Sequence, residues 1–366
     1  MKKVFVIDWL DKFGGAERVI STIEKIVSFD KSFTLINTMK TEELRQIFPQ
    51  KDSIIEETIL KYTKNKFRLF FFTFHILIDR IKIDKDAQLI FSSSHAVAKG
   101  VRKSNINQLH ISYFQARNFN YIWEDSKLFF GIFKPVFYPL IYILRKIDVK
   151  QAQRPDYIIA NSLFVKKWIK EKYNRESTVI YPPVELQYFP LEIIKENYYI
   201  IVGRVVHVKK FDIVIKAFND SGRKLIVIGD GSLLSTLKST AAENIVFKGF
   251  LKAEEVSQYI QKAKGFIQMG VEAFGIATIE AQACGTPVIA YAEGGVLETV
   301  IDLQTGVFFK EQSVESLKNA ILQFEKIKFY PVEVRNNALR FSKTKFEEQI
   351  RLYIKEKCDL HHLNCN

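Results

Sequence analysis

The sequence predicts an α/β protein of two doubly wound domains, each a parallel sheet covered by helices. Three observations carry that prediction. The chain has 366 residues, too many for one ordinary core. Short apolar, β-rich runs alternate with helix-length stretches, the pattern of repeated strand–helix–strand units. The strand-like runs are continuously apolar, as strands buried on both faces must be.

The first series opens with "KVFVIDW" ahead of the helical "AERVISTIEKIV". "QLIFSSS", "QLHISYF" and "DYIIANS" follow, the last leading into the helical "LFVKKWIKEKY". "STVIYPPVELQYF" closes this half, because Pro182 and Pro183 form a stiff extended break. The second series begins with "YYIIVGR" and continues through "KLIVIGDG", "NIVFKGF", "GFIQMG" and "PVIAYAEGG", each followed by a helical pattern. The last helical segment, "SKTKFEEQIRLYIKEK", starts at a capping signal, Ser342 or Thr344. The expected domains are therefore 1–184 and 185–341, with a helix in 342–366 that returns to the N-terminal domain. Ligands of such sheets collect beyond the carboxyl ends of the strands, so the site is expected in the cleft between the domains.

Composition narrows the class. With 47% hydrophobic and 26% charged residues the chain is a folded protein. Cys284, Cys358 and Cys365 are too few for a disulfide framework and suit a reducing compartment. The start, "MKKVFVIDWLDKFGG", reads as a first strand and not as a signal peptide. The net charge of +13 calls for a polyanionic partner. Nucleic acid is set aside, since there is no zinc-finger or RNP-type motif and no basic reading helix. An anionic membrane surface fits better: "KYTKNKFRLFFFTFHILIDRIKI" (61–83) carries six basic residues against the single acid Asp79, around an aromatic centre. Its apolar run is too short to span a bilayer, which takes roughly 20 apolar residues. A second stretch, "LFFGIFKPVFYPLIYILRKI" (128–147), is broken by Lys134, Pro135 and Pro139. The plainer alternative is that both stretches are buried helices with basic flanks.

Several motifs point to chemistry. "VEAFGIATIEAQACG" (271–285) sets Glu272 and Glu280 eight positions apart, with Gly275 marking a loop that gives way to a helix from about Ile276. Glu272 then sits in the loop and Glu280 on the young helix, either side of a helix N-terminus that favours an anion. "DKFGGAERV" places Gly14 and Gly15 just before a helix, which reads equally as a tight turn or a phosphate seat. In "IVGRVVHVKKFD", Arg204 lies just past a strand with Lys209 five residues on; the pair either holds a diphosphate or is solvated surface charge. His95 and His110 lie at or near strands, where a lone histidine is usually a packing residue. "CDLHHLNC" offers Cys358, His361, His362 and Cys365, spaced too tightly for the usual zinc patterns, and no metal site is expected. No Walker loop, nucleophile elbow or G-x-G-x-x-G fingerprint is present.

Taken together, "GGAERV", "SSSHAVAKG", "ANSLFVKKWI", "IYPPVE", "VGRVVHVKKFD", "EAFGIATIEAQACGTPVIA" and "GGVLETV", in that order over nearly the whole chain, resemble the retaining nucleotide-sugar glycosyltransferases of family 4, with GT-B architecture. Within that family, "SSSHAVAKGV" and "EAQACGTPVIAY" look most like bacterial O-antigen and exopolysaccharide mannosyltransferases. The resemblance implies that Glu272 faces the donor sugar, and that the Phe274, Gly275 and Ile276 amides approach sugar and phosphates. Glu280 would hold the ribose, and Arg204 and Lys209 would neutralise the departing diphosphate. Gly14, Gly15 and Gly203 would also line the donor, and His95 and Gln115 would contact acceptor or sugar. No metal and no cofactor is implied.

One departure stands out. Where the family often has a histidine, in a pattern like H-T-P-x-R-Y-x-W, this chain reads "SYFQARNFNYIWED", with Gln115 at the matching place. Glutamine can hydrogen-bond a sugar hydroxyl but cannot titrate. The resulting expectation is a cytoplasmic enzyme, peripheral on the inner face of the cytoplasmic membrane. It would transfer a sugar, mannose from GDP-mannose as the narrower likeness implies, to a lipid-linked saccharide of a surface polysaccharide. A GT-B-fold sugar-nucleotide epimerase and a non-catalytic nucleotide-sugar-binding subunit remain as alternatives.

Overall fold

The computed structural model describes residues 1–49, 54–124 and 126–363. They form two compact units: Met1–Pro183 together with the chain from Phe346 onward, and Val184–Lys345.

The first unit is built on a parallel sheet of β1 (Lys2–Ile7), β2 (Lys31–Thr34), β3 (Ile54–Glu57), β4 (Ala87–Ser94), β5 (Leu109–Phe114), β6 (Tyr157–Ala160) and β7 (Thr178–Val179). Their spatial order is β3-β2-β1-β4-β5-β6-β7. Successive side chains of β1 point to opposite faces, so each face gains its own core. Val4 and Val6 pack with Phe33 and Ile90 on one side. Phe5 and Ile7 pack with Phe91 and Ile111 on the other. The helix Lys343–Leu360 joins the second core through Phe346, Ile350, Tyr353, Ile354 and Cys358. Its start is marked by Ser342, whose hydroxyl accepts from the Lys345 N–H. The helix Leu163–Tyr173 begins where the Ser162 hydroxyl accepts from Val165 N–H and ends at Asn174 in the left-handed region.

The second unit repeats the plan with β8 (Glu196–Val202), β9 (Leu225–Ile228), β10 (Ile245–Gly249), β11 (Ala263–Gln268), β12 (Val288–Tyr291) and β13 (Gly306–Phe309). The order β10-β9-β8-β11-β12-β13 reverses direction beside the first strand, as does β3-β2-β1-β4 in the first unit. Each sheet therefore has a switch point at the carboxyl ends of its first and fourth strands, where ligands of open α/β sheets bind. Tyr199, Ile201, Leu225, Val227, Ile267 and Ile289 form the core under the helices Phe211–Ser221 and Val314–Phe324.

In the stretch 61–83 some aromatic rings are buried and others exposed. A 3-10 helix over Ile59–Thr73 and the helix Phe74–Arg80 bury Phe67, Phe71 and Phe74 in the core, leaving Phe70 and Phe72 exposed. Arg68 is drawn to Asp11 by an ion pair. In the stretch 128–147, the helix Lys134–Gln151 buries Ile141 and Leu144 and exposes the run from Pro135 to Pro139. Cys284 is free and buried, and Cys358 is disulfide-bonded. Cys365 of the C-terminal cluster lies outside the described residues. Among the described residues no group of three His, Cys, Asp or Glu side chains could hold a metal ion. No described helix is long and apolar enough to cross a membrane.

Candidate functional site

At the switch point of the second unit the chain leaves β8 through Gly203 and Arg204 and turns through a 3-10 segment, His207–Lys209, into the helix Phe211–Ser221. It leaves β11 through Met269 and Gly270 into the loop of Glu272. These two exits touch. A Cβ on Gly270 would lie 2.9 Å from Lys209 Cα and 2.9 Å from Val208 O, so only glycine allows this approach. The approach brings Lys209 Nζ into an ion pair with Glu272 Oε1. Burial, then the like charge of Arg204, pushes the Lys209 ammonium down to about 8. At neutral pH the ammonium still carries its proton and stands charged beside the Glu272 carboxylate. Arg204, Lys209 and Glu272 therefore form one electrostatic group.

The Glu272 loop is pinned from the side of β12. Glu272 and Gly294 form an isolated parallel bridge, and Gly295 N–H donates to Glu272 O at 2.9 Å. Gly294 has φ +90°, and a Cβ there would sit 2.4 Å from Glu272 O. Beyond the loop, Gly275 caps the helix Ile276–Ala283 with φ 90°. Thr278 Oγ1 donates back to Gly275 O at 2.6 Å. Phe274 turns its ring into the core, 5.4 Å from Phe341, so its backbone and not its side chain is available to a ligand. Glu280 is largely buried on this helix. The helix is held at its far end by Asn337, whose Nδ2 donates to Gln282 Oε1 at 2.6 Å and to Thr299 O at 2.8 Å. Loop carboxylate, helix N-terminus and two cations thus converge on one end of one sheet, an arrangement suited to an anion carrying hydroxyls.

The first unit gathers the remaining predicted residues at the carboxyl ends of β1, β4 and β5. Gly14 is the N-cap of the helix Gly15–Val27. Gln115 Nε2 donates to Ser93 Oγ at 2.9 Å and to Ala16 O at 3.4 Å, which sets it beside that helix start. His95 Nδ1 lies 3.3 Å from Asp8 Oδ2, and the imidazole stands edge-on to Trp9 at 4.2 Å between centroids. His110 is separate from this group. It is fully buried, its Nε2 is 2.8 Å from Ser92 Oγ, and burial pushes its pKa down to about 3, so it is a neutral packing residue.

Asp8 was missed by sequence reasoning. Its buried carboxylate accepts the backbone N–H groups of His95 and Ala96 through Oδ2 and those of Val97 and Ala98 through Oδ1, at 2.6–2.8 Å. It fixes the loop after β4 and orients His95. The available signal was an acid ending an otherwise apolar strand, "VFVID", which a core strand does not carry without a partner.

Residues 187–341 match the family model "Glycosyl transferases group 1". An uncharacterized glycosyltransferase of Methanocaldococcus jannaschii is 30% identical over 193 residues, 51% of this chain and 55% of that protein. A GDP-mannose-dependent alpha-(1-6)-phosphatidylinositol monomannoside mannosyltransferase of Mycolicibacterium smegmatis is 33% identical over 138 residues, 33% of this chain and 36% of that protein. The chain thus spans about half the length, or less, of these curated relatives. Among solved structures, sucrose-phosphate synthase of Thermosynechococcus elongatus superimposes with a TM-score of 0.75 at 15% identity, covering 98% of this chain and 100% of that one. Anabaena HepE in complex with UDP gives 0.70 at 16% identity, over 97% and 100%. The fold is that of the GT-B structures, two parallel-sheet Rossmann-like domains, and the match to the glycosyl transferases group 1 model falls on residues 187–341.

Proposed function

We propose that the protein is a retaining glycosyltransferase of family 4 that uses a nucleotide-sugar donor. The observation that carries this reading is the Arg204–Lys209–Glu272 group beside the N-terminus of the helix Ile276–Ala283. In the reaction the bond from the anomeric carbon to the diphosphate breaks. The bond to the acceptor oxygen forms on the same face, and the acceptor proton passes to a diphosphate oxygen. Negative charge grows on the diphosphate as it leaves, and the two cations meet it where it develops. Arg204 can grip phosphate oxygens with its fork, while Lys209 acts as a point charge. Side chains thus supply the neutralisation, and no metal is assigned a step.

Glu272 faces the sugar from its pinned loop, and Glu280 holds the ribose hydroxyls. Its contacts are alike in ground and transition states, so it serves affinity more than rate. Gly14, Gly15 and Gly203 line the donor, and the Gly275 and Ile276 amides approach its phosphates. His95, oriented by Asp8, and Gln115 serve the acceptor or sugar. The acceptor is a lipid-linked saccharide of a surface polysaccharide such as O-antigen, met by a cytoplasmic enzyme held peripherally on the inner face of the membrane. GDP-mannose is the donor favoured by the likeness to mannosyltransferases.

Thermal-shift comparison of GDP, UDP and ADP tests the donor. A ligand at 100 times its Kd adds about 2.7 kcal/mol of stability. Stabilisation by GDP is expected; stabilisation by UDP alone would remove the GDP-mannose assignment, and none by any nucleotide would remove the donor site.

A further inference from the structure

Two stretches of the first unit, far apart in sequence, meet as one surface. Phe71 lies 5.4 Å from Phe129 and 6.0 Å from Phe72, Phe129 lies 5.0 Å from Phe130, and Phe130 lies 5.2 Å from Phe137. Phe71 and Phe130 are buried and act as the seam, while the side chains around them point outward. Leu69 is 70% exposed, Ile132 86% and Val136 75%. The helix Lys134–Gln151 buries Ile141, Leu144, Asp148 and Gln151, but from Pro135 to Pro139 every residue is exposed and none is charged. A surface left to water does not keep such a run without a function.

The helix that carries much of this surface is anchored to the core at its far end. Asp148, near the far end of the same helix, is wholly buried and accepts from Lys99 Nζ at 2.6 Å, Trp123 Nε1 at 2.8 Å and Tyr173 OH at 2.6 Å. A buried carboxylate with three donors fixes the helix to the core.

Charge identifies the occupant. No acidic residue occurs from Ile59 to Ile78 or from Ser126 to Ile147, whereas Lys61, Lys64, Lys66, Lys127 and Lys146 are exposed on these stretches. A second copy of the chain would set these like charges against each other. A partner both apolar and negatively charged is an anionic lipid leaflet. We propose that this face docks the protein on an anionic membrane, with the Leu69, Phe70, Phe72, Ile132, Phe133 and Val136 side chains in the interface and the lysines at the headgroups. The purpose of docking rests on the lipid-linked acceptor assigned above, but docking itself is measured without donor or acceptor.

The test is flotation of the full chain with vesicles of phosphatidylcholine alone or mixed with phosphatidylglycerol. Wild type is expected to float with the mixed vesicles at low salt, poorly with neutral ones, and to be released as salt shortens the Debye length. An Ile132→Glu, Phe133→Glu, Val136→Glu variant should lose binding at least tenfold. Lys61→Gln, Lys64→Gln, Lys66→Gln, Lys127→Gln should weaken it about fivefold per charge removed. Both variants change exposed positions, and an unaltered nucleotide thermal shift reports that each is folded. Wild type that does not float, or either variant floating like wild type, would overturn the proposal. So would a dimer converted to a monomer by the glutamate variant with flotation unchanged. Transfer to a detergent-dispersed acceptor separates the readings: flotation without transfer sinks the catalytic assignment alone, and transfer without flotation sinks the docking face alone.

Discussion

Lys209 gives a pH dependence with a sign that differs between binding and folding. Its ammonium has an ordinary value of 10.5 and is held at about 8. A diphosphate beside it favours the charged form, so binding takes up a proton wherever the free protein has lost one. Affinity should be level below pH 8 and fall above it, approaching tenfold per pH unit. Full restoration to 10.5 corresponds to about 3.4 kcal/mol, at about 1.36 kcal/mol per pKa unit. That is an upper bound, because a quarter of the side chain remains in solvent. For the unliganded fold the sign reverses. The unfolded chain holds its proton up to 10.5, so the Lys209 contribution to stability rises with pH between about 8 and 10.5. The assay is calorimetric titration of the nucleoside diphosphate from pH 7 to 9.5, in wild type and Lys209→Arg. Arginine stays charged throughout, so its profile should be flat, and any ionisation of the ligand cancels between the two proteins. A flat wild-type profile, or an equal decline in Lys209→Arg, would refute this account of the cation pair.

Three further outcomes are expected. Arg204→Ala should lower kcat by about 10²–10³, the usual cost of losing one preorganised group that meets transition-state charge, with a smaller change in KM; wild-type turnover would remove Arg204 from the site. Gly294→Ala should destabilise the second unit by about 2–3 kcal/mol, combining left-handed strain with a backbone clash against Glu272 O; thermal denaturation with an unchanged midpoint would contradict that geometry. Glu24 is buried, which raises its pKa from 4.5 to about 7. Its contribution is present below pH 4.5 and lost as pH rises through 7, so Glu24→Gln should gain up to about 3 kcal/mol at pH 8 and nothing at pH 4, as read by denaturant unfolding.

The strands were legible in the sequence wherever their apolar runs are continuous, as in "KVFVID" and "KLIVIGDG", because burial on both faces leaves a local mark. The short β2, β3 and β13 carry less of that mark and passed unnoticed. The helix from Ile276 was legible because Gly275 punctuates it. What the sequence could not supply is contact at a distance. Asp8 acts on amides 87 to 90 residues away. Gly270 matters because of the backbone of Lys209, and Gly294 because of Glu272. In the same way "FRLFFFTF" has one composition, but its period places Phe67, Phe71 and Phe74 inward and Phe70 and Phe72 outward. The exposed Val136 and Phe137 resembled core residues because nothing local distinguishes an apolar side chain left exposed from one packed in a core.

The proposed activity is transfer of a sugar from a nucleoside diphosphate sugar to a lipid-linked acceptor. The most direct measurement incubates the purified full chain with a panel of sugar nucleotides and a lipid-diphosphate saccharide, following both nucleotide and lipid products by mass spectrometry. One donor should yield equal amounts of free nucleoside diphosphate and of acceptor heavier by one sugar, with the anomeric configuration of the donor retained. An isomerised sugar nucleotide with no free diphosphate, or no change in any donor, would contradict it.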